Sequence, residues 1–190
     1  MKPNLPLGLL VAALGNTAMA AAPTPRDVAA AEALFGYDKI IAAAVERGKA
    51  HPDPRLAKLA PESRDCVQKV IADAFARKVD GSFAELFESS ENIAAWVEFS
   101  RTGTGGKFIA FLQRGAAAIA TGGPPPVRAD FDASLGDGEK DELKTFLGTP
   151  AGAVLAKGFP SLPKGLTDAE ARQLDKISLS TCNFHLDGTP

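Results

Sequence analysis

The sequence predicts an all-α protein: an antiparallel helical bundle whose helices are joined by short turns. Three observations carry that expectation. Apolar residues recur at three- and four-residue spacing along most of the chain. Helix-start signals recur too, at Thr24-Pro25, at Thr149-Pro150 and in the Thr167–Glu170 capping box. No sustained alternation of apolar and polar residues is bounded by hairpin turns, so no segment reads as a set of strands.

The first 20 residues read as a cleaved leader. Lys2 gives a positive start, Leu7 to Leu14 is a short apolar run, and Ala18 and Ala20 form the small-residue pattern before a cut. The run is shorter than the ~20 residues that a membrane span takes. Residues 21–190 then read as a single helical domain, long enough to bury a core.

In chain order, Thr24 caps and Pro25 opens a first helix with Val28, Leu34, Ile41 and Val45 on its apolar side and Gly48 as its stop. Residues 51–60 are a Pro-marked connector with room for one helical turn. The next helix, 61–79, sets Cys66, Val67, Val70, Ile71, Ala74 and Phe75 on one face, and Gly81 ends it. Phe83, Leu86 and Phe87 form a short apolar segment. A further helix turns Ile93, Trp96, Val97 and Phe99 inward. Residues 102–120 are apolar and rich in Gly and Ala, and "TGGPPPVR" breaks the pattern after them. A short helix starts at Asp137 or Gly138, and Thr149 caps its successor with Pro150 at the first position. "PSLPKG" is a linker. The capping box then opens a last helix through Leu174 and Ile177 towards Cys182.

Two stretches share one frame. Phe99, Thr102, Gly105 and Phe108 recur as Phe146, Thr149, Gly152 and Leu155, each pair 47 residues apart. In both, a helix ends near the Phe, the Thr caps the next helix, and the Gly lies in its first turn. Gly costs about 1 kcal/mol against Ala in a helix, so a steric purpose is expected: two helix–turn–helix corners, each closed by a Gly that lets backbones approach, packed against each other. In the second, Leu143, Phe146, Thr149, Pro150, Gly152 and Leu155 resemble the helical corner of the domain-of-unknown-function family 2059. Those exported bacterial proteins carry an acidic-Leu, Phe, Ser/Thr-Pro-x-Gly, apolar-helix pattern. The resemblance covers residues 139–162, and more weakly 92–115, where Gly103 stands in place of the Pro. It implies a periplasmic helical domain and no catalytic residues.

Charge and motifs narrow the function. Without Lys2, 20 basic residues face 23 acidic ones with no basic block, which argues against nucleic acid. No second apolar stretch is long enough for a membrane span. Cys66 and Cys182 are the only cysteines, and in an exported chain such a pair predicts a disulfide, with the Cys66 sulfur pointing into the core. His51 and His185 have no second His at helical spacing, so no zinc motif forms. His185 follows Cys182 by three residues, but a Cys–His nucleophile needs a free thiol. "TGTGGK" departs from a phosphate loop at Arg101 and Phe108. Asp130, Asp132 and Ser134 occupy calcium-loop positions, yet Leu135 stands where Gly is needed and Asp141 where Glu is usual, so a solvated acidic loop over 130–141 explains them equally. Trp96, Phe99, Phe108 and Phe111 read as core.

No catalytic, cofactor or metal residue is assigned. The function expected is that of an exported, periplasmic, non-enzymatic protein that binds another protein or an envelope component, as an inhibitor, immunity protein or chaperone does. The alternative is a cell-envelope hydrolase whose fold pairs carboxylates such as Glu98 or Asp130. A broad apolar groove favours the first; two facing carboxylates in a polar pocket favour the second.

Overall fold

Thr24 starts the fold by the mechanism its sequence predicts. Its hydroxyl accepts the Asp27 N–H at 3.3 Å, while the Asp27 carboxylate accepts the Thr24 N–H at 2.9 Å. The computed structural model describes residues 20–157 and 166–186; the expected leader up to residue 19 and the "PSLPKG" linker lie outside them. Eight α-helices are present among the described residues: α1 Pro25–Phe35, α2 Tyr37–Ala50, α3 Pro61–Phe87, α4 Ser90–Phe99, α5 Gly103–Thr121, α6 Arg128–Ala133, α7 Asp137–Leu147 and α8 Asp168–Cys182. Two 3-10 turns, Leu56–Lys58 and Gly152–Lys157, complete the all-α fold, with no strand among the described residues.

Three glycines behave differently from expectation. The single first helix is two, because Gly36 adopts φ +79° and ends α1 as it begins α2. An unbroken helix would fan Phe35 and Tyr37 far apart around its axis, at about 100° per residue; the left-handed residue re-aims the chain so that both are buried. Gly48 does not stop α2, which runs on to Ala50, and Gly81 does not stop α3, which runs on to Phe87. Val79, Phe83 and Phe87 follow at four-residue spacing and are 1%, 0% and 0% exposed. Burying one such side chain contributes about 1.5–3 kcal/mol, more than the ~1 kcal/mol that a helical Gly costs.

The main core is aromatic. Trp96, fully buried in α4, meets Phe35 at 5.1 Å and Phe146 at 4.7 Å between ring centroids. Phe83 stacks with Phe87, and Phe108 and Phe111 both pack on Phe131. Ile93 and Phe99 are also inward, as the spacing of α4 predicts.

The two corners share their hydrogen bonds. Gly105 N–H donates to Thr102 Oγ1 at 3.0 Å, and Gly152 N–H to Thr149 Oγ1 at 3.1 Å. Thr102 N–H reaches the Phe99 carbonyl at 3.0 Å, and Thr149 N–H the Phe146 carbonyl at 2.9 Å. A Cβ on Gly105 would fall 1.7 Å from the Phe99 carbonyl oxygen, and one on Gly152 2.2 Å from that of Phe146. The phenylalanines themselves stack face to face, centroids 3.9 Å apart and planes 7° off parallel. Trp96 Nε1–H donates to the Ala151 carbonyl at 2.8 Å, so α4 holds the second corner, and Lys107 of α5 pairs at 2.7 Å with Glu139 at the start of α7. The corners differ in the element that each opens. Gly105 leads into the 19-residue α5, whereas the apolar helix expected after Thr149 and Pro150 is a six-residue 3-10 turn. There the Ala151 carbonyl takes the Val154 N–H at 3.3 Å as well as the indole, which leaves little room for an α-helical donor.

α8 lies apart from that core. Cys66 near the start of α3 meets Cys182 at the end of α8, and Lys78, twelve residues on, pairs with Glu170, twelve residues back. The two helices therefore run antiparallel. Leu56, Val67, Val70 and Leu174 are the buried apolar residues left outside the main cluster. Val67 and Val70 lie in the N-terminal half of α3, Leu56 in the 3-10 turn before it and Leu174 in α8.

Candidate functional site

Between α2 and the N-terminal half of α3 runs a groove of about 790 Å³. Its floor is Ala44, Val45, Leu56, Ile71, Ala72 and Phe75, and its rim is Lys49, His51, Asp53, Asp65, Gln68 and Lys69. The sequence spacing puts Ile71 and Phe75 on one apolar face of α3; here Ile71 is 37% exposed, while Phe75 is half-buried and packs against the main core. The reason lies in the width of the apolar arc on α3. Val67 and Val70 point one way and are covered; Ile71, Ala72 and Phe75 are turned further round and face α2 across open space. An arc wider than one partner helix can cover was the available signal.

The rim is electrically balanced and largely occupied. Lys49 pairs with Glu46 and Lys69 with Asp73, both at 2.8 Å. Gln68 Nε2 spans the groove's end to donate to the Gly48 carbonyl at 3.2 Å. Asp53 accepts from the Arg55 backbone and guanidinium at 2.8–3.2 Å, and those hydrogen bonds hold its carboxyl below the usual range. A carboxylate so held is a poor proton donor near neutrality.

Cys66 and Cys182 stand at disulfide-bonding distance, Sγ–Sγ 2.03 Å and Cα–Cα 5.7 Å, with no other cysteine present. The Cys66 sulfur does not enter the core as predicted: both cysteines are half-buried on the α3–α8 seam. Besides the bond, α8 packs along α3, with Ile177 half-buried and Leu174 and Ser178 buried. Burying Leu174, its one buried apolar side chain, contributes about 1.5–3 kcal/mol. Ser178, 0% exposed, has no partner for its hydroxyl, which costs about 1–3 kcal/mol. The partly exposed Lys78–Glu170 pair adds at most ~1 kcal/mol, and the covalent link fastens the end of α8 to α3.

The remaining candidates do not converge. Glu98 and Asp130 are not buried and line neither this groove nor the smaller cavity among α5, α6, α7 and the 3-10 turn. Asp130 and Asp132 sit within α6, not in a loop, so the calcium-loop spacing is not realised as a loop; α6 forms because Phe131 is buried against Phe108 and Phe111. Among the described residues no three His, Cys, Asp or Glu side chains converge as metal ligands. His185 Nδ1 is 3.0 Å from Asp175 Oδ2, and the Leu186 carbonyl takes a hydrogen bond from Arg55 at 2.9 Å, which ties the tail to the connector.

The fold does pair two carboxylates, in α1 and α3. Glu32 is 8% exposed, one of its oxygens is sealed without a partner, and the Asp80 carboxyl lies beside it. Burial, then Asp80 and Asp38, push its carboxyl up to about 7. Neither Glu32 nor Asp80 lines the groove or the smaller cavity, so the pair has no substrate space beside it there. Nothing in the sequence distinguishes Glu32 from the exposed acids around it.

No described helix is long and apolar enough to cross a membrane. No family model, curated protein or solved structure matches this chain.

Proposed function

We propose that this chain is an exported, periplasmic binding protein that receives an amphipathic helical segment of a partner protein in the α2–α3 groove. One observation carries the reading: an apolar floor lying open between two helices, with Ile71 exposed in its midst. The wall on α3, from Asp65 to Phe75, is about 15 Å long at 1.5 Å per residue. That length suits three turns of a guest helix presenting residues i, i+3/i+4 and i+7. A neutral, internally paired rim favours a guest recognised by its apolar face over a polyanion or polycation. The leader pattern and the cysteine pair support export. The corner resembling family 2059 proteins supports the periplasm.

Selection from a displayed peptide library on the immobilised protein, with Ile71→Asp as counter-target, tests this. Ile71 is already partly exposed, so the variant should melt like the parent. Enriched peptides should share helical apolar spacing and bind the variant at least tenfold more weakly. Peptides that bind both proteins equally, or no enrichment over the counter-target, overturn the proposal.

A further inference from the structure

We propose that α8 is a removable cover: the Cys66–Cys182 bond keeps it over the Val67–Val70 face of α3, and exchange with a dithiol releases it and joins that face to the groove. The inference rests on the groove reading for its consequence, not for the release itself. Among the described elements, α3 is the one substantial packing partner of α8. Besides the bond, the ties that hold α8 include Leu174, the Lys78–Glu170 pair and the Arg55 hydrogen bond to Leu186, while the sealed Ser178 hydroxyl opposes docking. The antiparallel register puts Val70 level with Ser178.

The bond is reachable, since both cysteines are half-buried rather than enclosed. The incoming dithiol's thiolate attacks one sulfur and forms a mixed disulfide, and its second thiolate displaces the chain's cysteine. Two electrons and two protons pass to Cys66 and Cys182, which end as thiols, and the dithiol ends as a disulfide. Val67 and Val70 alternate along α3 with Gln68, Lys69, Ile71 and Ala72, which line the groove. With α8 gone, an apolar face and an apolar floor meet along the same turns of one helix.

Hydrogen exchange of the whole protein, with and without dithiothreitol, tests the release. Amides of 168–182 should exchange at least tenfold faster after reduction, and those of 90–121 at an unchanged rate. A Cys66→Ser/Cys182→Ser variant should behave like the reduced protein without any reductant. Continued protection of 168–182 in either overturns the cover, as does equal loss of protection over 90–121, which would make the bond a staple of the entire fold. Bis-ANS fluorescence tests the union with the groove separately. It should rise about threefold on reduction and by half as much or less in Ile71→Asp; an undiminished rise in that variant overturns the union.

Discussion

Replacing Gly105 with Ala should cost the protein about 2–4 kcal/mol, although Ala is the better helix former. The added Cβ would lie 1.7 Å from the Phe99 carbonyl oxygen and 2.4 Å from its carbon. Real Cβ atoms essentially never approach a heavy atom closer than 3.0 Å, and these neighbours are backbone, so the α4–α5 corner must open by roughly 1.3 Å, the difference between 3.0 and 1.7 Å. Opening it loosens the Gly105 bond to the Thr102 hydroxyl, a cap of about 1 kcal/mol. It also loosens the Thr102 N–H bond to Phe99, worth about 1 kcal/mol, and adds overpacking strain of about 1–3 kcal/mol beside the Phe99–Phe146 stack. The helix-propensity gain returns about 1 kcal/mol. Gly81 supplies the control: it too is helical, yet a Cβ there meets nothing within 4 Å. Gly81→Ala should therefore stabilise by about 0.5–1 kcal/mol. Urea unfolding followed by circular dichroism gives both values if the slope m is unchanged. A Gly105→Ala midpoint at or above that of the parent refutes the close-approach account of the corner.

Gly152→Ala should destabilise by about 1–3 kcal/mol in the same assay, because its Cβ would meet the Phe146 oxygen at 2.2 Å and Leu147 Cα at 2.5 Å; parental stability would break the likeness of the two corners. Glu32 should make the protein less stable as pH rises. Its folded value, about 7 against 4.5, means that the folded state keeps a proton the unfolded chain has released, so stability is full below about pH 4.5 and falls by up to about 1.4 kcal/mol per unit until pH 7. Glu32→Gln should remove that slope and stabilise the protein at pH 8 by about 1–3 kcal/mol; equal pH 5-to-8 midpoint shifts in parent and variant refute it. Glu170, held down to about 2 by Lys78 and Thr167, acts with the opposite sign, its contribution lost as pH falls below about 4.5, outside that window. Intact mass of the exported protein should place Ala21 at the N-terminus, and a retained Met1 refutes the leader.

What the sequence made legible was whatever is settled within a turn or two of chain. The caps at Thr24, Thr102 and Thr149 and the capping box at Thr167 need only neighbours three residues away, and each formed. Glycine roles were harder. Gly36, Gly48 and Gly81 look alike in sequence, and what separates them is whether burying residues on either side demands a change of direction. Phe35 and Tyr37 demand it; nothing beside Gly48 or Gly81 does. The groove was invisible for a related reason. The pattern of α3 marks Val70 and Ile71 equally as apolar, and the placement of α2 and α8 decides which one is covered. The Glu32–Asp80 pair joins residues 48 apart through the docking of two helices, a relation that no spacing rule expresses.

The stack of Phe99 on Phe146 bears on the order of folding. Each corner closes within a few residues, so its loop entropy is small and it can form early. The stack instead bridges 47 residues of chain and has to wait until both corners exist. Trp96, the sole tryptophan, sits at that junction, in contact with Phe99, Phe146 and the Ala151 carbonyl. Its fluorescence therefore times the docking of the two corners, while far-ultraviolet dichroism times the appearance of the helices. A lag between the two signals during refolding measures how long finished corners search for each other.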